Sequence, residues 1–455
     1  MIMKTSLFLV IPNPIAASDL LRTNYIQYLV DQYRVVVINP TIDSETAVSR
    51  GYFQSPDLSY VKLLSANPKF WEFLKFLRIS LVNEFDYLIS IRHWYKRPNY
   101  LENRKRRLLR FLGKPFAKLL TADFFTNLER LLAPKARAFR QLAAEHKPAL
   151  IATATPGFDG WEAEIINEAR RLRIPTVAVN FSWDNLTMNC KHIRKTNYLV
   201  AWNEIMKQEA IDIHRYSADR VFVSGTPRFD PYFGNIPNEP TREEFLKSKG
   251  LNPAYRTIFH TTVTKAYPFQ KKYIHDLIKL REDKKIPYVN LFVRIHPLDI
   301  YENYREFFAV PDLYIEKSGS GTDGRVEMNY KDLLNLKYSL KYTDLNINYA
   351  STISIEACVF NKPIINIGFL GRFALAYEFN HYEPIYRSGA VRLAKTDEDL
   401  PRLINFYLEN PEADREERRQ IVQSYVGFTD GLSYKRSVDF LDKIISNTKN
   451  QNGKR

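Results

Sequence analysis

Short apolar runs recur along this 455-residue chain, and stretches with helical spacing of their apolar positions separate them. Such runs, bounded by polar or turn residues, predict buried strands, and strands that alternate with helices indicate a parallel sheet covered on both faces. The predicted strands of the first half are 5–11, 34–38, 87–91, 149–154, 176–180, 198–202 and 220–224. Those of the second half are 257–263, 289–295, 313–316, 345–348, 364–367 and 391–393.

A proline-rich stretch at 231–253 interrupts the alternation, and predicted helices at 397–408, 415–425 and 433–446 close the chain. We therefore predict an α/β protein with two doubly wound, Rossmann-like domains that face a cleft. The predicted domains are 1–235, with a basic amphipathic insertion at about 69–140, and 250–430, followed by a C-terminal helix and tail at 431–455. In such folds ligands bind at the carboxyl ends of the strands, so we expect the site there.

Hydroxyl residues follow the strand predicted at 345–348. Ser351, Thr352 and Ser354 come directly before or within the start of a helix, and Glu356 lies in its first turns. The amino end of a helix has free N–H groups and a partial positive charge, so this segment could hold a phosphate, and Glu356 could accept hydrogen bonds from a ribose. The alternative is that Ser351 or Thr352 only caps the helix.

A second polar element follows the strand predicted at 289–295. Arg294 and His296 could bind a diphosphate, or His296 could protonate a leaving group, although a histidine before Pro297 can also be a simple turn residue. A formal G-x-G-x-x-G match at 319–324 is weak evidence for a dinucleotide, and we interpret it as a loop.

These motifs together resemble the carboxyl-terminal domain of GT-B fold nucleotide-sugar glycosyltransferases. The likeness covers about 257–436 and is carried by His296-Pro297, Ser351-Thr352, Glu356-Ala357, Asn361-Lys362-Pro363 and Asp430-Gly431 with Arg436. Bacterial surface-polysaccharide enzymes and CDP-glycerol glycerophosphotransferases show the most similar pattern, and the UDP-N-acetylglucosamine 2-epimerases share much of it and remain an alternative. The resemblance implies that the second domain binds a nucleotide-activated donor and the first binds a glycan or lipid-linked acceptor.

The resemblance also directs attention to a general base in the first domain. Many retaining enzymes of this fold have a Glu eight positions before the helix Glu, where this sequence has Asn348. An inverting reaction must deprotonate the acceptor hydroxyl, and Asp159 and Asp184, each beside a Trp after a predicted strand, are the candidates. Either Asp could instead cap a helix. Arg228, in a loop similar to the G-x-P-x-x-D hinge of this superfamily, is expected near the donor phosphates.

The charge distribution suggests a further partner. The net charge is +15, and 69–140 contains 17 Lys or Arg against 6 Asp or Glu. Eight of these cations lie at 92–110 among aromatic and aliphatic residues, a pattern that favours an anionic membrane surface over nucleic acid or a merely solvated face. We predict no nucleic-acid partner, because no nucleic-acid motif accompanies the cations.

Composition excludes several other classes of protein. No apolar run is long enough to span a membrane, and the run at 7–11 is too short for an export signal. Two cysteines cannot form a disulfide framework, and the eight histidines show no metal-ligand spacing. We therefore expect a cytoplasmic protein that needs no metal. The resemblance adds the expectation of a transferase that needs no cofactor besides its donor substrate, and the basic segment that of a peripheral position on the inner face of the cell membrane.

Overall fold

The computed structural model describes residues 4–82, 88–90, 101–116, 118–157, 160–188, 195–264, 269–319, 327–369 and 371–452. Within it the chain forms two compact units. The first unit consists of Met1–Asp230 together with Phe428–Arg455, and the second is Pro231–Gly427.

The first unit contains a seven-stranded parallel sheet with the order β3-β2-β1-β4-β5-β6-β7. The chain reverses its direction of strand addition between the neighbours β1 and β4, as in doubly wound folds. In the register, Phe8 lies opposite Val36 on one side and Ile151 on the other. The strands are β1 Ser6–Val10, β2 Arg34–Asn39, β3 Leu58–Lys62, β4 Leu150–Thr153, β5 Thr176–Val179, β6 Tyr198–Ala201 and β7 Val221–Val223.

The second unit repeats this design with a six-stranded parallel sheet in the order β10-β9-β8-β11-β12-β13. Here the reversal falls between β8 and β11. Its strands are β8 Thr257–Thr261, β9 Asn290–Ile295, β10 Leu313–Lys317, β11 Leu345–Asn348, β12 Ile364–Ile367 and β13 Arg392–Ala394. The two sheets confirm the predicted fold class of two Rossmann-like α/β units.

Helices cover both faces of each sheet, which is why the strands have continuous apolar runs and not alternating ones. In β1, Leu7 and Leu9 face a core that includes Leu441 of the last helix, whereas Phe8 packs on the other face with Phe139. The principal helices of the first unit are Pro14–Leu21, Asn24–Gln32, Ser44–Ser49, Pro68–Leu81, Leu101–Gly113, Ala122–Leu132, Arg137–His146, Gly160–Arg171, Asn185–Met188, Glu204–Asp212 and Ser433–Asn452. Those of the second are Arg242–Ser248, Gln270–Glu282, Tyr330–Tyr342, Ile353–Val359, Glu383–Arg387, Asp399–Glu409 and Arg415–Ile421.

The structure differs from the sequence-based expectations at a few elements. The strand Leu58–Lys62 was not predicted. The strand predicted at 87–91 is wrong at Ile89 and Ser90, which are helical, while its end residues lie outside the described part of the chain. The last helix continues to Asn452 and packs on the sheet of the first unit, and the first unit passes into the second after Asp230.

Candidate functional site

The carboxyl edge of the second unit's sheet brings two of the predicted elements together. β9 ends at Ile295, so His296 lies at this edge, and β11 ends at Asn348, shortly before Ser351 and Thr352. Only β8 separates β9 from β11, so the two strand ends are about 10 Å apart, at about 4.8 Å per strand spacing. A nucleoside diphosphate can reach across such a distance.

His296 is held in one tautomer. Its backbone N–H donates to Thr262 Oγ1 at 2.8 Å, and its ring Nδ1 accepts from the Leu298 N–H at 3.0 Å. Burial lowers the pKa of His296 to about 4, and the charge of Asp299 opposes this only in part. The ring is therefore neutral at neutral pH with its proton on Nε2. It can donate a hydrogen bond to an anionic oxygen, but it is a poor proton donor to a leaving group.

Ser351 and Thr352 are half-buried at the start of the helix Ile353–Val359. The Ser351 hydroxyl accepts from the Ile353 N–H at 3.1 Å, and the Thr352 carbonyl accepts from the Glu356 N–H at 3.1 Å. The Ser351 hydroxyl thus hydrogen-bonds to the backbone at the start of the helix, which is the local structural role that we gave as the alternative to phosphate binding. The same residues still expose part of their surface at the sheet edge.

Two other residues assigned to the donor site lie beneath this edge. Ser354 is fully buried, and its hydroxyl lies 3.0 Å from Asn348 Oδ1. Glu356 is also fully buried and accepts from the Tyr232 hydroxyl at 2.6 Å. Both side chains are buried in this structure, so neither is accessible to the donor that we predicted it to contact.

Arg294 is likewise an internal residue. It lies opposite Glu316 in the β9–β10 register, and the two side chains form a buried ion pair. Lys249 Nζ also lies 3.0 Å from Glu316 Oε1, so this carboxylate is neutralised by two cations. Removing either partner of such a buried pair would leave an uncompensated charge, and the Arg294 guanidinium is occupied by Glu316 inside the unit.

In the first unit, Asp184 follows β5 at the carboxyl edge of the sheet. It is half-buried, its carboxylate accepts a hydrogen bond from the Ser182 hydroxyl, and its carbonyl accepts from the Met188 N–H at 2.9 Å. The other candidate base, Asp159, lies outside the described residues.

A carboxylate that the sequence did not indicate lies near Asp184. Glu209 belongs to the helix Glu204–Asp212, which packs against the short helix Asn185–Met188. Burial, and next the negative charge of Asp184, raise the pKa of Glu209 to about 8. Glu209 is therefore mostly protonated at neutral pH. A single Glu in a helix gives no sequence signal for such a pairing.

Arg228 joins its loop to the helix Pro14–Leu21 of the first unit. Its Nη1 lies 3.2 Å from Asp19 Oδ1, and both side chains are largely buried. In the same loop Gly225 has a φ of +80°, and a Cβ there would lie 2.4 Å from Ser433 Oγ, so only glycine fits. Asp230 ends the loop, and its carboxylate accepts from the first two N–H groups of the last helix at 3.0 and 2.8 Å. The loop thus binds the start of the last helix through Asp230, and Arg228 is part of this loop and paired with Asp19.

Among the described residues, no group of three or more His, Cys, Asp or Glu side chains could hold a metal ion. Within the same ranges, no helix is both long and apolar enough to cross a membrane.

Comparison with known proteins identifies the class of fold. No protein-family model and no curated protein sequence matches this chain, whereas solved structures match over nearly its whole length. They have the GT-B fold, which confirms the predicted resemblance.

Three of these solved structures have so low a sequence identity to this chain that only the fold is shared. The UDP-GlcNAc 2-epimerase from Methanocaldococcus jannaschii is 13% identical with a TM-score of 0.51, over 96% of this chain and all of that one. The UDP-GlcNAc 2-epimerase from Neisseria meningitidis bound to UDP-GlcNAc is 11% identical with a TM-score of 0.52, over 96% and 100%. A variant of the wall teichoic acid polymerase TagF is 10% identical with a TM-score of 0.55, over 98% of this chain and 90% of that one.

Proposed function

We propose that this protein is a GT-B-type transferase that moves a sugar, or a glycerol-phosphate-like group, from a nucleotide-activated donor to a surface-glycan or lipid-linked acceptor. The observation that carries the proposal is the fixed, neutral imidazole of His296 at the same sheet edge as Ser351 and Thr352. Its Nε2–H is suited to a phosphate oxygen, and the half-buried hydroxyl segment lies about 10 Å away, two strand spacings along the edge.

The proposed chemistry follows from charge. When the bond to the leaving nucleotide breaks, negative charge grows on its terminal phosphate oxygen, and a donor that is already oriented stabilises this charge more than the ground state. His296 supplies such a donor without carrying a charge itself. The acceptor hydroxyl loses its proton to a base of the first unit, for which Asp184 and Asp159 remain the candidates, and the oxygen then attacks the transferred group.

A donor panel tests the proposal. The protein is incubated with nucleotide sugars and CDP-alcohols, with and without lipid-linked acceptors, and nucleotide release is measured. We expect release that depends on one donor class and on the acceptor. If no donor is consumed while the protein binds nucleic acid tightly, the chain is a basic binding protein and the transferase proposal fails.

The solved 2-epimerases support a second candidate function, an epimerase acting on a UDP-activated amino sugar. This activity needs no acceptor and leaves the sugar attached to the nucleotide. Incubation with UDP-GlcNAc alone, followed by separation of the C2 epimers, distinguishes the two reactions. Epimer formation without an acceptor would replace the transferase proposal.

We further propose that the basic insertion docks the enzyme on an anionic membrane. Among the described residues, 22 large apolar side chains are exposed, and eight of them lie within 101–132. Six exposed cations accompany them, and each adds about 1 kcal/mol of attraction near an anionic surface. The apolar residues are Leu108, Phe111, Leu112, Phe116, Leu119, Phe124, Leu131 and Leu132, and the cations are Arg104, Lys105, Arg107, Lys114, Lys118 and Arg130. The part of the predicted patch at 92–100 lies outside the described residues.

A further inference from the structure

Asp299 lies in the turn that follows β9, three residues after His296. Its backbone N–H donates to the His296 carbonyl at 2.9 Å, which closes the turn over residues 296–299. Inside this turn, the Leu298 N–H donates to His296 Nδ1 at 3.0 Å. The conformation of the turn therefore sets whether Nδ1 has a donor opposite it, and through that contact which ring nitrogen has the proton.

The Asp299 carboxylate is hydrogen-bonded on both oxygens. Its Oδ1 accepts from the Ile300 N–H at 2.8 Å. Its Oδ2 accepts from the Tyr304 hydroxyl at 2.6 Å and from Gln270 Nε2 at 3.3 Å. Tyr304 and Gln270 are both buried, so two side chains from inside the unit hold this carboxylate in place.

Gln270 connects the same carboxylate to the end of β8. Its Oε1 accepts from the Val263 N–H at 2.7 Å, and its Nε2 also donates to the Thr264 carbonyl at 3.1 Å. The neighbouring Thr262 accepts from the His296 N–H through its hydroxyl at 2.8 Å. The backbone of His296 and the turn that follows it are thus both fixed against one strand end.

We propose that Asp299 is a positioning residue for His296, and that its carboxylate holds the turn in the conformation that keeps the ring proton on Nε2. The role of this proton towards a donor phosphate rests on the proposed function. Without the carboxylate the turn loses three contacts, and the Leu298 N–H then leaves Nδ1 in part of the molecules. A ring with its proton on Nδ1 presents a lone pair at Nε2, which repels an anionic oxygen.

The variant Asp299→Asn tests this role with little change in volume. An amide has one acceptor oxygen, so it can keep the contact with Ile300 or those with Tyr304 and Gln270, but not both. The charge of Asp299 raises the pKa of His296, so its removal lowers that pKa further and the ring stays neutral. A change at the ring nitrogens therefore reports the tautomer and not protonation.

Asp414 provides a matched control in the same unit. Its Oδ2 accepts from the Tyr407 hydroxyl at 2.5 Å, and Tyr407 is buried. Its other partner, Arg392, begins β13, so this pair lies at the amino edge of the sheet, opposite to the edge with His296. Asp414→Asn thus removes a carboxylate that accepts from a buried Tyr, without touching the turn.

The experiment compares wild type, Asp299→Asn and Asp414→Asn by NMR of the histidine ring nitrogens at about pH 8, with His296→Ala to identify the His296 signals. We expect the form with the proton on Nδ1 to increase about threefold or more in Asp299→Asn alone. With the preferred donor, kcat for nucleotide release by this variant should fall about tenfold with little change in KM, because the lost orientation acts on charge that grows in the transition state. Asp414→Asn should match wild type in both readings.

The outcomes separate this inference from the proposed function. The same tautomer ratio in Asp299→Asn and wild type would overturn the positioning role. Equal changes in both Asn variants would also overturn it, because general destabilisation would then explain them. If wild type consumes no donor, the proposed function fails, while the tautomer ratio still shows whether Asp299 positions the ring. If Asp299→Asn does not fold, Tyr304→Phe removes one contact of the carboxylate and is judged by the same ratio.

Discussion

A pH-dependent loss of stability should follow from His260. This residue lies in β8 and is almost completely buried. Its Nδ1 is 3.1 Å from the Ile347 carbonyl, to which it donates. Burial lowers the pKa of His260 from 6.5 to about 4, and the hydrogen bond to Ile347 offsets only part of that effect.

The sign and size of the effect follow from linkage. As pH falls, the unfolded chain takes up a proton near pH 6.5, whereas the folded chain remains neutral until about pH 4. Protonation therefore favours the unfolded state, and the stability present at neutral pH is lost as pH falls from 6.5 towards 4. At about pH 5 the loss from His260 is about 2 kcal/mol, since one pKa unit corresponds to about 1.4 kcal/mol.

The variant His260→Asn isolates this contribution. The Asn amide nitrogen can occupy the place of Nδ1 and donate to the Ile347 carbonyl, but it does not titrate. We expect the variant to be less stable than wild type at pH 8, because the smaller side chain leaves a cavity. The difference in unfolding free energy of the second unit between about pH 8 and about pH 5 should nevertheless be smaller by about 2 kcal/mol.

The chain offers a convenient internal control for this assay. All five tryptophans precede residue 230, so tryptophan fluorescence during urea unfolding reports on the first unit. Pulse proteolysis, followed by mass spectrometry of peptides from 257–367, reports on the second. The substitution should change the pH dependence of the second signal alone. The same pH dependence in variant and wild type would refute the assignment of a depressed pKa to a buried neutral His260.

Three further predictions concern the candidate sites. His296→Ala should lower turnover about 10- to 100-fold, because one hydrogen bond to a charged oxygen is lost, and it should change the melting temperature little. Replacement of the exposed His275 should change neither quantity. A collapse in melting temperature with normal activity per folded molecule would show that His296 is structural. The raised pKa of Glu209 opposes folding as pH rises from 4.5 towards 8. Glu209→Gln should therefore stabilise the first unit at pH 8 by about 1–3 kcal/mol and have no such effect near pH 4.5. An equal effect at both pH values would contradict this reasoning. Charge reversal of the exposed cations Arg104, Lys105 and Arg107 should release the protein from anionic vesicles at low salt without unfolding it. Charge reversal of the exposed Lys284 and Lys285 should not release it. If the wild-type protein does not bind such vesicles, the docking proposal is refuted.

The sequence predicted most of the fold because parallel strands buried on both faces have continuous apolar runs bounded by polar or turn residues. All six strands of the second sheet were found within a few residues. The strand Leu58–Lys62 was missed because it lies at the edge of its sheet, where only Tyr60 is fully buried and no apolar run forms. The segment at 87–91 was misassigned because a short apolar run does not distinguish a strand from a buried helical turn.

Site residues were easier to predict by position than by exposure. His296, Ser351 and Asp184 come within five residues of the ends of β9, β11 and β5, and the carboxyl ends of parallel strands in one sheet lie at the same edge. Sequence could not show which side chains at these ends point outward. The polar residues Arg294 and Glu356 proved to be internal, because their partners Glu316 and Tyr232 are 22 and 124 residues away in the chain.

The surroundings of Asn348, the last residue of β11, bear on the choice between retaining and inverting chemistry. Its Oδ1 accepts from Asn366 Nδ2 at 2.7 Å, and its Nδ2 donates to Asn346 Oδ1. A carboxylate in the place of Asn348 could make the first contact but not the second, because its oxygen would face the Asn346 oxygen with no proton between them. Burial without full pairing would also penalise the charge. The hydrogen bonds around Asn348 therefore suit a neutral amide. For the proposed transferase, Asp184 and Asp159 therefore stay the bases to test, and within the first unit Asp184 is close enough to Glu209 for its charge to raise the pKa of Glu209.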